Sequence, residues 1–262
     1  MIRDNPVKKR LAEGGRVLGC WLNMVSPIAA EIVGMAGYDF VMIDHEHGPG
    51  SFTDAIGLMQ AIAAGGACPI LRVPWNDTVY IKRALDSGVE GLMIPAVGSA
   101  EEARAAVAAC RYPPAGVRGS AYGSVRASGW GLYGEQYRDR TADTLLIICQ
   151  IETVAGVESI AEIAAVPGVD VLFIGPYDLS GAAGALGRFD HPDVGRLIDR
   201  AERAILDSGL CYGSIPSPAR SLSRLLDVGC RMVIAGSDTG FVRRGAAAEV
   251  EAFHKLAGDR CS

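Results

Sequence analysis

A short stretch near residue 45 concentrates side chains that could do acid–base chemistry. Residues 41–50 read VMIDHEHGPG, so an apolar run ends in two carboxylates and two of the four histidines of the chain. A carboxylate beside an imidazole fixes its tautomer and raises its basicity. We therefore predict that Asp44 contacts His47 across the turn at Gly48 and that this pair moves protons. A purely structural role for His47 is the alternative.

Two further carboxylates follow apolar runs. Glu152 ends the run TLLIICQIE, and Asp178 is the third residue after the run VDVLFIG. Two hard oxygen ligands, with positions left open for water and substrate, suit Mg²⁺ or Mn²⁺. The pair predicts a divalent-metal site. Helix capping or pairing with an arginine is the alternative for each carboxylate taken alone.

Arg72 also stands where an apolar run ends, after CPIL and before Val73 and Pro74. A permanent positive charge at a strand end suits an enolate or carboxylate oxygen. We predict that Arg72 binds such an oxygen. A salt bridge with a nearby carboxylate such as Asp44 is the alternative.

The elements that must position these residues alternate along the chain. Eight short apolar, β-rich runs occur at 17–22, 39–44, 68–73, 91–95, 144–152, 169–175, 210–215 and 231–236. Most of them are continuous, which is typical of parallel strands covered on both faces. Helix-like segments lie between them, with Ser99 as a helix start and Gly88 and Gly209 as helix ends.

This alternation predicts an α/β fold, a single (β/α)8 barrel domain over residues 1–262. In such barrels the chemistry gathers at the carboxyl ends of the strands, where the polar residues above are found. A doubly wound open sheet is the alternative, but no GxGxxG follows the first run. Residues 111–143 form an excursion, and we interpret its arginines as surface or interface residues, with binding of a substrate phosphate as the alternative. These arginines are Arg111, Arg118, Arg126, Arg138 and Arg140.

Lysine positions decide between two ways of stabilising a carbanion. A Schiff-base aldolase needs a lysine on a strand inside the barrel. None of the four lysines, Lys8, Lys9, Lys82 and Lys255, lies in a predicted strand. We therefore expect no Schiff-base lysine. If the barrel makes a carbanion next to a carbonyl, a metal must serve as the electron sink. A nucleotide cofactor is not expected either.

Composition excludes several other classes. The net charge is −5 with no basic block, which argues against nucleic-acid binding. No run approaches the length of a membrane span, and the start MIRDNPVKKR lacks the apolar core of a signal peptide, so we expect a cytoplasmic protein. The seven cysteines lack a CxxC spacing, which favours reduced core thiols over a zinc site; they are Cys20, Cys68, Cys110, Cys149, Cys211, Cys230 and Cys261.

Six motifs occur in this order: IDHEHG, PILRV, LDSGVEGLMIP, RYPPAGVRG, QIET and FIGPYDLS. In combination they resemble the metal-dependent, class II pyruvate aldolases, which include 4-hydroxy-2-oxoheptanedioate, 2-dehydro-3-deoxyglucarate and 2-keto-3-deoxyrhamnonate aldolases. The resemblance extends from Gly19 to Phe241. It implies reversible aldol cleavage of a 4-hydroxy-2-oxo acid to pyruvate, or hydroxypyruvate, plus an aldehyde.

The resemblance implies roles for individual residues. Glu152 and Asp178 match the carboxylates that hold the divalent metal, Mg²⁺ or Mn²⁺ with Co²⁺ as a further option. His47 matches the base, with Asp44 as its partner. Arg72 matches the arginine that holds the keto oxygen of pyruvate and its enolate.

Other residues are expected to bind the substrate or support the site. Substrate binding is expected from Trp21, Gln150, Gly175, Tyr177 and Ser214. Backbone N–H groups around Gly175, Tyr177 and Asp178 are expected to hold the substrate carboxylate. A supporting role, or contact with a neighbouring subunit, is expected for Glu46, Asp86 and Arg126. The family implies a homohexamer, a dimer of trimers, with the C-terminal helix exchanged between subunits.

Two other functions stay open. One is a related lyase for an acyl-CoA or citrate-type substrate, although no nucleotide-binding extension is evident. The other is a barrel that binds a 2-oxo acid without turning it over. The aldehyde partner is also left open, because Tyr177 stands where a small residue is more usual in the family.

Overall fold

A computed structural model describes residues 4–258 and forms eight strands and twelve α-helices among them. The strands are β1 Val17–Leu22, β2 Phe40–Asp44, β3 Cys68–Arg72, β4 Gly91–Ile94, β5 Leu146–Ile151, β6 Val171–Ile174, β7 Cys211–Ser214 and β8 Met232–Ser237. The helices are α1 Pro6–Ala12, α2 Pro27–Met35, α3 Phe52–Ala64, α4 Thr78–Ser87, α5 Ala100–Cys110, α6 Gly134–Thr144, α7 Val154–Glu158, α8 Ile160–Ala164, α9 Pro176–Ala182, α10 Pro192–Ser208, α11 Leu222–Asp227 and α12 Asp238–Ala257.

The eight strands close into a parallel barrel in chain order, with β8 paired to β1. The predicted (β/α)8 fold is therefore confirmed, and each of the eight apolar runs matches a strand to within two residues at either end. The predicted helix boundaries also hold. Ser99 caps α5 by accepting a hydrogen bond from the Glu102 N–H, and left-handed Gly88 and Gly209 end α4 and α10.

Alternation along each strand separates two apolar cores. Residues such as Phe40, Met42 and Ile70 point into the barrel, while their neighbours Val41 and Ile43 point outward against the helices. Both faces are apolar because both are covered, which explains why the sequence runs are continuous.

Helix α1 closes the amino-terminal end of the barrel. Its residues Val7 and Leu11 are buried in the inner core, and Asn5 before it donates to the carbonyl of Glu90. The carboxyl ends of the strands remain accessible, which is the end where active sites form in such barrels.

The excursion between α5 and β5 holds a short 3₁₀ turn, Arg126–Ser128, and α6. Arg118 in this excursion is fully buried, 0% exposed, and donates to Asp86 at 2.8 Å. Its guanidinium also lies over the rings of Tyr112 and Tyr137. The expectation that Arg118 is a surface residue is therefore wrong, because this ion pair and the two rings compensate for its burial.

Helix α12 contributes little to the core of its own barrel. Asp238 is its only buried residue within the described part of the chain, and Leu256 is 88% exposed. Helix α2 also exposes large apolar side chains; they are Ile28, Ile32 and Met35. Exchange of α12 between subunits stays a prediction.

No helix in residues 4–258 is long and apolar enough to cross a bilayer. The cytoplasmic location expected from the sequence stays a prediction. The cysteines at 20, 68, 110, 149, 211 and 230 are buried and form no disulfide in this part of the chain, as expected for core thiols. Cys261 lies outside the described residues.

Candidate active site

The side-chain alternation of the inner core carries polar residues to the open end of the barrel. Asp44 follows Phe40 and Met42 on the inner face of β2, and Arg72 follows Cys68 and Ile70 on β3. By the same spacing, β5 directs Gln150 inward. At the next inward position after the apolar side chains, each of these three strands therefore presents a charged or hydrogen-bonding group.

These residues border a cavity of about 420 Å³. Its lining consists of Trp21, Asn23, Asp44, His47, Arg72, Gln150, Phe173, Gly175, Pro176, Tyr177, Asp178, Ile215 and Ser237. Eight of the thirteen residues predicted for the site are among them. A second hollow, at the opposite end of the barrel beside α1, contains none of the predicted groups, so the chemistry points to the first cavity.

Arg72 is held rigidly beneath the cavity. Its Nε and Nη2 donate to the two carboxylate oxygens of Asp44 at 3.0 and 2.8 Å, and its Nη1 lies 2.9 Å from Glu46 Oε2. The guanidinium also stacks on Trp21, 4.3 Å from the ring centroid. The salt bridge left open as an alternative is formed. It leaves the cation inside the cavity lining, so it does not conflict with substrate binding.

The pKa values of Asp44 and Glu46, the two carboxylates that contact Arg72, shift in opposite directions. Burial alone would raise the pKa of Asp44, but the hydrogen bonds and charge of Arg72 and the backbone N–H groups of His47 and Glu46 hold it below its ordinary value. The pKa of Glu46 is raised, first by burial and with contributions from Asp44 and Asp178, which outweigh the opposing charge of Arg72.

The predicted contact between Asp44 and the His47 imidazole is wrong. The Asp44 oxygens accept from Arg72, from Asn23 Nδ2 at 3.0 Å and from the backbone N–H groups of Glu46 and His47. The His47 side chain is 67% exposed and its Nε2 is 4.0 Å from Glu46 Oε2. The chain turns so tightly after β2 that Asp44 caps the backbone of the loop, which directs the imidazole outward to the cavity wall.

His45, the other histidine of the stretch, faces away from the cavity. It is buried on the outer side of the barrel, where its Nδ1 lies 2.8 Å from the Tyr80 hydroxyl and its ring packs edge-on against Phe52. The one-residue alternation at the end of β2 thus separates a packing histidine from the histidine at the cavity.

Glu152 lies just beyond β5 and is held by two donors. Its Oε1 accepts from the Ala96 N–H at 2.8 Å, and its Oε2 accepts from Gln150 Nε2. Ala96 has a φ of 54°, a left-handed conformation that is unusual for a residue with a Cβ and that directs this N–H at the carboxylate. Burial, and then the charges of Asp178 and Glu46, raise the pKa of Glu152 from 4.5 to about 7.

The donor set fits a hard divalent cation. Glu152 and Asp178 are close enough for their charges to interact, and the buried Oε1 of Gln150 has no hydrogen-bond partner among the described residues. A Cβ on Gly175 would lie 2.8 Å from Glu152 Oε2, so glycine keeps this space open. No group of three or more His, Cys, Asp or Glu side chains able to hold a metal occurs in residues 4–258. Two carboxylates with open positions are typical of Mg²⁺.

Some predicted site residues are not brought to the cavity. Ser214 has the outward orientation of Tyr212 on β7, and its Oγ donates to the Ile174 carbonyl at 3.2 Å. Ile215, the next residue, lines the cavity in its place. The predicted N–H contribution of Gly175 is also wrong, because this N–H donates to the Ile151 carbonyl in the sheet.

Asp86 and Arg126 lie at the C-terminal end of α4. Asp86 pairs with the buried Arg118, and Arg126 Nη1 donates to the Ser87 carbonyl at 2.7 Å. Within one chain they therefore stabilise the end of this helix and do not line the cavity. Their contact with a neighbouring subunit stays a prediction.

Sequence reasoning missed Asn23 and the carboxylate that positions it. Asp238, at the start of α12, is buried and accepts from the backbone N–H groups of Asn23 and Met24 at 3.0 and 2.8 Å. Asn23 in turn donates to Asp44. The sequence did hold a sign of Asp238, because this carboxylate stands just after an apolar run, as Asp178 does. Its partner, however, is 215 residues away in sequence.

We expect Glu152→Gln to stabilise the metal-free protein at high pH. Since the folded-state pKa of Glu152 is raised from 4.5 to about 7, its burial carries no penalty below pH 4.5, and stability is lost as the pH rises towards 7. That shift corresponds to roughly 3 kcal/mol. In urea unfolding with EDTA, the variant should gain stability at about pH 8 and much less at about pH 5. Glu158→Gln, an exposed control, should gain at neither; an equal gain of Glu152→Gln at both pH values would contradict the assignment.

Comparison with known proteins finds relatives along nearly the whole chain. The family model described as HpcH/HpaI aldolase/citrate lyase matches residues 17–245. A hydroxypyruvate/pyruvate aldolase of Delftia acidovorans is 40% identical over 246 residues, which is 94% of this chain and 91% of the relative. A 4-hydroxy-2-oxo-heptane-1,7-dioate aldolase of Salmonella paratyphi B is 39% identical over 257 residues, 97% of each chain.

A solved structure supports the same grouping. A protein from Burkholderia cenocepacia J2315 superposes with a TM-score of 0.90 at 34% identity, over 95% of this chain and 99% of that chain. The resemblance inferred from the six sequence motifs is confirmed by these matches. The chain belongs to the HpcH/HpaI aldolase/citrate lyase family.

Proposed function

We propose that the chain catalyses reversible aldol cleavage of a 4-hydroxy-2-oxo acid to pyruvate, or hydroxypyruvate, and an aldehyde. One observation carries this proposal: the fixed cation Arg72 and the carboxylate Asp178 line one cavity, and Glu152 contacts two more lining residues, Gln150 and Gly175. An enolate needs a positive charge beside its oxygen. Arg72 supplies one, and a cation held by the two carboxylates would supply a second. The aldolase names of the relatives from Delftia acidovorans and Salmonella paratyphi B agree with it.

Glu152 and Asp178 are proposed to hold a divalent cation, Mg²⁺ or Mn²⁺, with Co²⁺ as a further option. The burial of Glu152, together with the nearby charge of the exposed Asp178, makes an ionised pair unfavourable without a cation, as the raised pKa of Glu152 reflects. When bound, the metal would supply a Lewis acid for the keto and carboxylate oxygens of the 2-oxo acid. Gln150 would keep Glu152 oriented through its Nε2 hydrogen bond.

Arg72 is proposed to hold the keto oxygen and to stabilise the negative charge that this oxygen gains. Asp44 and Glu46 fix the guanidinium before substrate binds, so little reorganisation is needed during the reaction. The N–H groups of Tyr177 and Asp178, in the first turn of α9, have no intrahelical partner and are available to the substrate carboxylate. Pro176 has no N–H to contribute.

His47 is proposed as the base, because it is the one histidine in the cavity lining. In the cleavage direction it would take the proton of the C4 hydroxyl through a water. The C3–C4 bond then breaks, the aldehyde leaves, and the electron pair forms the enolate beside Arg72. Protonation at C3 gives the 2-oxo acid. Glu46, 4.0 Å from His47 Nε2, replaces Asp44 as the carboxylate that can stabilise the protonated ring.

We expect Arg72→Lys to lower the rate of pyruvate release from a 4-hydroxy-2-oxo acid by about 100-fold or more. Lysine keeps the charge but loses the paired hydrogen bonds to Asp44, so the charge is no longer fixed at the keto oxygen. The measurement couples pyruvate release to a lactate dehydrogenase assay, with EDTA as the blank. Arg83→Lys, outside the cavity, is the control. A rate within a few-fold of the wild type would remove Arg72 from the mechanism.

We expect Asp178→Asn to weaken Mn²⁺ binding by more than about tenfold, because one of two charged ligands is lost. Isothermal titration calorimetry measures this without any substrate. Asp207→Asn, an exposed carboxylate on α10, is the matched control and should bind as the wild type does. Equal affinities of the wild type and Asp178→Asn would exclude this carboxylate as a ligand.

A homohexamer with shared α12 helices is also proposed. A 20-residue helix that buries only Asp238 within its own chain needs packing from elsewhere, and Val250, Phe253 and Leu256 are exposed on it. A second copy of the chain is the partner that the family resemblance implies.

Charge on the apolar side of α12 tests this assembly. We expect Phe253→Asp combined with Leu256→Asp to reduce the assembly to smaller species in analytical ultracentrifugation, because carboxylates would be buried at the contact. Ala248→Asp adds charge elsewhere on the same exposed helix and is the control. An unchanged sedimentation coefficient of the double variant would rule out these side chains as the contact.

A further inference from the structure

The cavity lining carries both polar and apolar side chains. Arg72, Gln150 and Asp178 are polar, and the proposed function assigns them to the pyruvyl half of the substrate. The apolar side chains of the lining are Trp21, Phe173, Ile215 and Tyr177. Trp21 already stacks on Arg72 and Phe173 is almost fully buried, so Tyr177, the one exposed side chain of the four, offers the largest apolar surface to the aldehyde half.

The described lining offers no cation to an acidic aldehyde. Arg72 is the only lysine or arginine among the lining residues, and Asp44 and Glu46 already engage three of its nitrogens. Asp44 and Asp178 add negative charge to the same cavity. A carboxylate on the far end of the aldehyde would lose hydration without gaining a partner, so an uncharged aldehyde is favoured.

Tyr177 provides a fixed aromatic surface at the mouth of the cavity. Its ring packs edge-on against Phe189, with centroids 5.0 Å apart and an interplanar angle of 83°. Ser180 Oγ donates to the Tyr177 carbonyl and accepts from the Gly187 N–H at 2.8 Å, which ties the chain after α9 to its first turn. Tyr177 is nevertheless 47% exposed, so part of this supported ring remains uncovered.

We propose that the acceptor is an uncharged aldehyde with an apolar, planar substituent, and that Tyr177 selects it by packing against that substituent. This inference rests on the proposed aldolase function and specifies its second substrate. Phe189 acts as a positioning residue, because it holds the Tyr177 ring and does not line the cavity. An aromatic substituent gains contact with the ring in addition to burial of its apolar surface.

The test compares two acceptors with pyruvate as the donor and Mg²⁺ present. We expect kcat/KM for benzaldehyde to exceed that for succinic semialdehyde by at least about tenfold. Tyr177→Ala should lower this ratio about five- to tenfold, mainly through the KM of benzaldehyde, and Tyr177→Phe should retain it. Each ratio is taken within one variant, so a uniform loss of activity cancels. Tyr38→Ala, which removes a tyrosine outside the cavity lining, is the control and should keep the wild-type ratio.

The outcomes separate this inference from the function on which it rests. A wild type that prefers succinic semialdehyde, or an unchanged ratio in Tyr177→Ala, rejects the acceptor assignment alone, provided that pyruvate still exchanges its C3 protons. No product from any aldehyde and no proton exchange at C3 rejects the aldolase itself. If Tyr177→Ala does not fold, Phe189→Leu takes its place and must lower the same ratio.

Discussion

The buried ion pair between Asp44 and Arg72 determines how the rest of the site is arranged. The two residues are register partners at the ends of β2 and β3, so the barrel itself aligns them. Burying a guanidinium carries a large desolvation penalty unless its partner is well placed and hydrogen-bonded, and Asp44 meets this condition through Asn23 and the N–H groups of Glu46 and His47. One carboxylate therefore fixes the cation beneath the cavity and shapes the loop that carries the histidine.

The surroundings of Glu152 disfavour its negative charge. Burial, and then repulsion by the charges of Asp178 and Glu46, raises the pKa of Glu152 to about 7. Ala96 holds the Glu152 carboxylate from a left-handed backbone conformation, and Gly175 leaves room beside it. Such an arrangement is unfavourable for folding alone and becomes favourable when a cation is shared, which is the behaviour expected of a ligand site and not of a structural core.

Fold and site differ in how far the sequence predicts them. The barrel could be predicted because its strands are buried on both faces, so each is a continuous apolar run followed by a polar residue. The failures are failures of orientation and of long-range pairing. The His47 imidazole was predicted as the partner of Asp44, but the partner is Arg72 of the next strand, which the sequence offered only as an alternative. Ser214 was predicted to face the cavity, but the inward alternation of β7 excludes it. The contact of Asp238 with Asn23 spans 215 residues and has no local pattern. The proposed sharing of α12 between copies of the chain has no pattern within a single chain that could encode it.

The most direct test of the central claim is exchange of the C3 protons of pyruvate for deuterium, followed by NMR in D₂O with no aldehyde present. It requires only enolate formation, so it is independent of the acceptor and of the assembly. The proposed chemistry predicts exchange that depends on Mg²⁺ or Mn²⁺ and stops when EDTA is added. Absence of exchange with both pyruvate and hydroxypyruvate under every divalent metal would contradict it, and would leave a lyase for another acid or a barrel that binds without turnover.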